Sequence, residues 1–167
     1  MNNVSYKEKY HDNATPKTLK HVMRYFLFSC YTGLRYSDLK ALTYSKVIEG
    51  RYIQIRMQKT GEPLRLDLPK KAIMLLGKGL PNESIFQVTC SQATNRDLKE
   101  VMTLAGISKS ISIHCARHSF ATIAGELGVP VEVIMQLLGH SNIKITMGYV
   151  KVTQPSLTKG MMLMDKL

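Results

Sequence analysis

Apolar side chains recur three and four residues apart from Pro16 onward: Leu19, Val22, Met23, Phe26, Leu27 and Cys30. With Thr15 as an N-cap and Gly33 as the stop, this spacing predicts a helix over 16–32. Ser37 or Asp38 can open a second, short helix through Leu42. From Val47 the period changes to two, and 52–57 and 64–68 read as strands. Lys59-Thr60-Gly61-Glu62 between them makes a hairpin turn, and Pro69 ends the second strand. Residues 70–76 read as helical. A longer helix is predicted over 91–105, with Leu98, Val101, Met102 and Ala105 on one face and Gly106 as its stop. Another covers 113–127 and ends at Gly128. Pro130 starts the next, which runs through Leu138 and closes at Gly139. A last stretch over 142–150 precedes Pro155 and a tail in which Leu157, Met161 and Met164 form a narrow apolar stripe. No internal repeat or linker interrupts the pattern. The expected fold is mainly α with a small antiparallel β-sheet, in one domain over 16–154. A polar lead-in, 1–15, precedes it and a tail helix, 155–167, follows.

A chain of 167 residues that is 44% apolar can bury roughly 70% of its unfolded surface, which argues for a globular domain. The formal charge of +11 is spread over all three thirds of the sequence, so it belongs to the fold and not to a detachable basic arm. Such a field attracts polyanions, nucleic acid foremost. Cys30, Cys90 and Cys115 give an odd count without C-x-x-C spacing, which fits a reducing interior and excludes a disulfide framework. No apolar run approaches the ~20 residues of a membrane span. Met1 to Tyr10 lacks the apolar core of a secretion signal. The expectation is a cytoplasmic protein.

Three constellations can carry chemistry. On a helix, His114, Arg117 and His118 share one face. That face is either solvated and inert or an anion site equipped with proton donors, since a permanently charged guanidinium is costly to bury without an anion. A zinc site is disfavoured: the residue after the first His, where the metalloprotease pattern needs Glu, is Cys115, and Arg117 would repel a dication even if His140 joined as third ligand. The second constellation is Thr32-Gly33-Leu34-Arg35-Tyr36-Ser37-Asp38-Leu39. Here Leu34 and Leu39 are candidate core anchors, and Asp38 either caps a helix or orients Arg35. The third is Leu137-Leu138-Gly139-His140-Ser141, with Tyr149 nine residues beyond the histidine. Gly148, directly before Tyr149, lowers local stiffness and suggests a mobile tyrosine. The 12 acidic residues are scattered, unlike the carboxylate cluster of a metal-dependent nuclease, and no Gly-rich nucleotide loop is present.

Each constellation is ambiguous alone, but their order is specific. T-G-L-R-x-x-D, a hairpin lysine, H-x-x-R-H, L-G-H-S and a tyrosine nine residues on resemble the tyrosine recombinase (phage integrase) family over Thr32 to about Val150. The resemblance implies the family's catalytic-domain fold without the N-terminal domain that clamps the other side of the DNA. It implies that Arg35 and Arg117 grip the non-bridging oxygens of a scissile phosphate. By the same resemblance Lys59 protonates the leaving 5′ oxygen, His114 and His140 donate hydrogen bonds, and Tyr149 is the nucleophile. Asp38 and His118 match supporting positions. Implied too are a 3′-phosphotyrosine intermediate without metal, ATP or other cofactor, double-stranded DNA as partner, and a monomer that becomes a tetramer on recombining DNA. By its stripe alone the tail helix is expected to pack on its own domain, whereas the resemblance implies that it is exchanged between protomers. A DNA-binding module that does not cut, and a type IB topoisomerase-like enzyme, are the alternatives. The glycine before Tyr149 departs from the family, where a larger residue is expected.

Overall fold

The computed structural model describes residues 17–149. In chain order these form α1 (Lys17–Thr32), α2 (Tyr36–Ala41), a single 3-10 turn at Tyr44–Lys46, β1 (Val47–Ile48), β2 (Tyr52–Arg56) and β3 (Pro63–Asp67). There follow α3 (Lys70–Ile73), α4 (Ser91–Leu104), α5 (Cys115–Glu126), α6 (Val131–Leu138) and α7 (Ile143–Met147). The architecture is mainly helical with one small antiparallel sheet, as the periodicity predicts. The expected lead-in, Val150 and the tail helix lie outside the described residues. No described helix is long and apolar enough to cross a membrane.

The sheet has the order β1-β2-β3, with Ile53 opposite Leu66 and Ile55 opposite Leu64. Ile53, Leu64 and Leu66 point inward, while Gln54, Arg65 and Asp67 stay exposed, which is the alternation that identifies the strands. β1 pairs only through Val47 with Ile53 and Ile48 with Tyr52, too short a segment to show a period.

Helix α1 departs from the expected stripe. Tyr25 and Phe28 are fully buried, whereas Met23, Leu27 and Cys30 are only partly so. The cause is packing on several sides: α1 runs against α4, α5 and α3, so its buried arc is wider than one stripe. Burying the Tyr25 phenol is tolerated because its hydroxyl pairs with Thr94 Oγ1 at 2.8 Å. Phe86, from the irregular segment before α4, tilts against Phe28 with centroids 5.0 Å apart.

Two glycines stop helices that end at one place. Gly33 (φ 68°) closes α1 and Gly139 (φ 56°) closes α6, both in the left-handed region. Beyond Gly139 the chain turns back so that His140 N donates to Met135 O at 3.0 Å. A Cβ on Gly33 would stand 2.8 Å from Phe120 Cδ1 and 2.9 Å from Leu138 Cδ2. The end of α1 is therefore pressed against α5 and α6, leaving room for nothing larger.

Candidate active site

The site is assembled where these two helix ends meet the start of α5. Arg117, one turn into α5, is 7% exposed and reaches across both ends. Its Nη1 donates to Gly33 O, and its Nη2 donates to Leu138 O at 2.6 Å. Arg35 follows the end of α1 and donates from Nη2 to Gly139 O at 2.8 Å, with Nη1 3.6 Å from Met57 Sδ. The final carbonyls of a helix carry partial negative charge, so they answer the cost of burying a guanidinium that has no carboxylate partner. Sequence reasoning foresaw a buried arginine only with an anion. The structure supplies backbone carbonyls in that role.

The remaining side chains line a narrow cleft formed by His114, Arg117, His118, Leu138, His140 and Tyr149, about 10 Å³ in volume. His114 stands just before the first residue of α5 but keeps helical angles (φ −67°, ψ −28°), so its ring still meets that of His118, with centroids 4.7 Å apart. His118 in turn meets the Tyr149 ring edge-on at 4.3 Å. The face expected to carry His114, Arg117 and His118 together does line one cleft, with the three side chains reaching different parts of it. His114 and His118 turn toward the tyrosine while Arg117 turns inward between the helix ends.

His140 Nε2 lies 3.1 Å from Arg117 Nη2, and its Nδ1 lies 3.0 Å from Thr146 Oγ1. Burial first, then Arg117, Arg35, His114 and Lys59, pull its pKa down to about 4. His114 is lowered as well, by burial and then by His118, Arg117, Lys59 and Arg35. Arg117 is drawn down to about 10 by burial and by Arg35, against the opposing pull of Asp38 and Tyr149, and so stays charged at neutral pH. Each cation thus makes its neighbours harder to charge, as in a cluster lacking its counter-ion. The salt bridges among the described residues, Arg65 with Asp67 and Arg96 with Asp97, lie elsewhere.

Lys59 is exposed in the β2–β3 turn and makes no hydrogen bond to the cleft, yet its charge acts on both His114 and His140. Asp38 is buried (3% exposed) and corrects both sequence expectations for it. It neither caps α2 nor bonds Arg35: its Oδ1 accepts from Gln58 N at 2.8 Å, tying the lysine hairpin to α2, and its Oδ2 has no partner. Gly148 adopts ordinary helical angles (φ −60°, ψ −20°), and Tyr149 N donates to Thr146 O at 3.0 Å, so nothing in this arrangement calls for a glycine. Thr146 went unremarked in the sequence, since a lone threonine in a short helix carries no signal. A groove of about 610 Å³ between β3 and α6, with Met57, Leu64, Val133 and Leu137 in its walls, shares His140 with the cleft. No group of three or more His, Cys, Asp or Glu suited to a metal occurs among the described residues.

Residues 5–155 match the Phage integrase family. A tyrosine recombinase of Thermosipho africanus is 33% identical over 131 residues, covering 73% of this chain and 46% of its own length. The tyrosine recombinase XerA of Thermococcus onnurineus is 32% identical over 164 residues, covering 89% of this chain and 57% of its own. The chain thus spans about half the length of the curated relatives it matches. Among solved structures, XerA recombinase superposes with a TM-score of 0.65 at 22% identity, covering 84% of this chain and 61% of that one. A lambda integrase dimer bound to a COC′ core site gives 0.61 at 19% identity, covering 83% of this chain and 54% of that one. The histidines, Arg117 and the tyrosine that meet in the cleft sit on the fold those structures share, and the chain belongs to the phage integrase family of tyrosine recombinases.

Proposed function

We propose that this chain is the catalytic part, over 16–154, of a site-specific recombinase that cuts and rejoins double-stranded DNA through a covalent 3′-phosphotyrosine. The observation that carries the reading is a cleft lined by Arg117, three histidines and the Tyr149 phenol, with the Arg35 charge close enough to act on Arg117, His114 and His140. A phosphodiester is the anion that fits such a cluster of cations. Arg35 and Arg117 hold its non-bridging oxygens, and such fixed charges are worth about 10²–10³ in rate each. Tyr149 Oη forms a bond to phosphorus while the bond from phosphorus to the 5′ oxygen breaks. The phenol proton passes to His114, and Lys59 Nζ gives its proton to the leaving 5′ oxygen. His140 adds a hydrogen bond to the phosphate, and Asp38 and His118 steady the hairpin and the phenol. The phosphotyrosine keeps the energy of the cut bond, so the 5′ hydroxyl of another strand can reseal it without ATP or metal. The DNA-bound lambda integrase supports DNA as partner. In the same reading the protein is a cytoplasmic, nucleoid-associated monomer that forms a tetramer on recombining DNA, with 155–167 exchanged between protomers.

The test is incubation with nicked suicide DNA followed by denaturing gel electrophoresis. A covalent adduct is expected from the wild type and none from Tyr149→Phe. An adduct from Tyr149→Phe overturns the choice of nucleophile. Salt-sensitive binding with no adduct from the wild type shows a module that does not cut, and supercoil relaxation without recombinant product shows a topoisomerase-like enzyme.

A further inference from the structure

A guanidinium has only N–H groups to offer, so the 3.1 Å contact between Arg117 Nη2 and His140 Nε2 requires a lone pair on that nitrogen. A neutral imidazole with a bare Nε2 keeps its proton on Nδ1. That proton has one place to go: Thr146 Oγ1, 3.0 Å away on a residue with no exposed surface. The carbonyl of the same threonine accepts from Tyr149 N at 3.0 Å. Thr146 is therefore bonded to the histidine through its side chain and to the tyrosine through its backbone.

We propose that Thr146 is a positioning residue of the strand-cutting site, keeping the His140 proton on Nδ1 so that Nε2 faces Arg117 and the incoming phosphate. The inference rests on the function proposed above and deepens it. Because a hydroxyl accepts the Nδ1 proton whether the ring is neutral or charged, only Nε2 has to change when DNA arrives. With phosphate bound, the ring takes up a proton from solvent at Nε2, releases the Arg117 N–H and donates to a phosphate oxygen as an imidazolium, while Nδ1–H stays on Thr146 and the ring stays fixed. Without the hydroxyl the proton is free to move to Nε2, where it would confront the Arg117 N–H groups and turn the ring away. The groups facing His140 are Arg117 from α5, Arg35 beyond α1, His114 and the hairpin Lys59, all of which oppose its protonation until an anion arrives. The bond from Thr146 to His140 also fixes the start of the turn that presents Tyr149, so the phosphate-binding ring and the nucleophile move as one piece.

The experiment compares the full chain with Thr146→Val, which keeps the shape and loses the oxygen, and Thr146→Ser, which keeps the oxygen. Two quantities are read: the imidazole nitrogen shifts of His140 by NMR without DNA, and the rate of adduct formation on nicked DNA. The wild type and Thr146→Ser should show a ring protonated on Nδ1, and Thr146→Val a ring protonated on Nε2 or a mixture. Adduct formation should slow about tenfold to a hundredfold in Thr146→Val and stay within about threefold in Thr146→Ser, with DNA affinity unchanged in both. A Thr146→Val ring still protonated on Nδ1, or equal slowing in both variants, overturns the inference. A wild type that forms no adduct but shows the expected nitrogen pattern overturns the proposed function and leaves the tautomer assignment standing.

Discussion

The two sides of the cleft stand on very different foundations. Arg35 and Asp38 rise from a continuous core in which Phe28, Leu34, Leu39, Leu42, Ile53 and Leu98 are essentially sealed from solvent. His140 and Tyr149 rest on a small cluster, Ala121, Ala124, Ile134 and Leu138, with Phe120 and Val129 beside it. Burying a handful of alanines and two large aliphatics stabilises far less than the larger core does. Polar struts make up part of the difference: Arg117 ties Gly33 O to Leu138 O, and Arg35 ties itself to Gly139 O. The side chains proposed to grip phosphate are the ones that hold the weaker side in place. Their hold on the carbonyls and their charge toward the cleft are two uses of one guanidinium.

Prying the helix ends apart should give the largest effect. Gly33→Ala combines a left-handed φ with a Cβ pressed on Phe120 and Leu138, and should cost about 2–4 kcal/mol in urea unfolding. Gly61→Ala is the control: its φ is equally positive (71°) but its Cβ would meet no atom within 4 Å, so about 1 kcal/mol is expected. Equal losses would show that the close approach between α1 and α6 contributes nothing.

Removing the struts comes next. Arg117→Lys leaves a buried cation that cannot span both carbonyls, and should lose about 1–3 kcal/mol by denaturant titration. Arg35→Lys, on the better-founded side and bonded to one carbonyl, should lose about 1 kcal/mol or less. The reverse order would place the structural load on Arg35. Both variants should form the DNA adduct far more slowly than the wild type.

How much of this was legible in the sequence follows the same division. Helix stops at Gly33 and Gly139, the two main strands and the apolar anchors Leu34 and Leu39 are local signals, and each is found in place. The gathering of Arg35, His114, Arg117, His140 and Tyr149 was reached only through the order of motifs, because no periodicity brings residues a hundred positions apart together. Bonds between distant segments left no trace: Asp38 to the Gln58 amide, Arg24 to the carbonyls of Leu75 and Leu76, and Tyr25 to Thr94. Such partners are fixed by tertiary packing, and Asp38 reads locally as a cap. Thr146 was missed for a related reason, since its importance lies in the imidazole it faces and not in its own chemistry.

Acid should separate the two sides further. His140 and His114 both titrate below the ordinary imidazole value in the folded protein, so protons bind the unfolded chain more readily. Stability contributed by these rings is intact above about pH 6.5 and is lost as pH falls toward 4. Melting temperature should decline over that interval, and His140→Gln, which does not titrate, should flatten the decline. A wild-type curve with no slope between pH 6.5 and 4 would contradict the uncompensated positive charge inferred around the cleft.

The gentlest change bears on the last turn before the nucleophile. Gly148 has helical angles, and a Cβ there would meet Ile145 O at 3.5 Å and Lys144 O at 3.9 Å, which is ordinary contact. Alanine fits this backbone and restricts the unfolded chain, so Gly148→Ala should stabilise the protein by about 0.4–1 kcal/mol. If Tyr149 attacks from the position it holds against His118, adduct formation should stay within about twofold of the wild type. A variant that is more stable yet slower to form adduct would mean that the turn has to unwind before the phenol reaches phosphorus. The glycine would then serve a conformation other than this one, and the small core beneath His140 and Tyr149 would be what permits that movement. Measuring both quantities on one substitution separates a glycine that is incidental from one that lets the weakly founded side of the cleft rearrange.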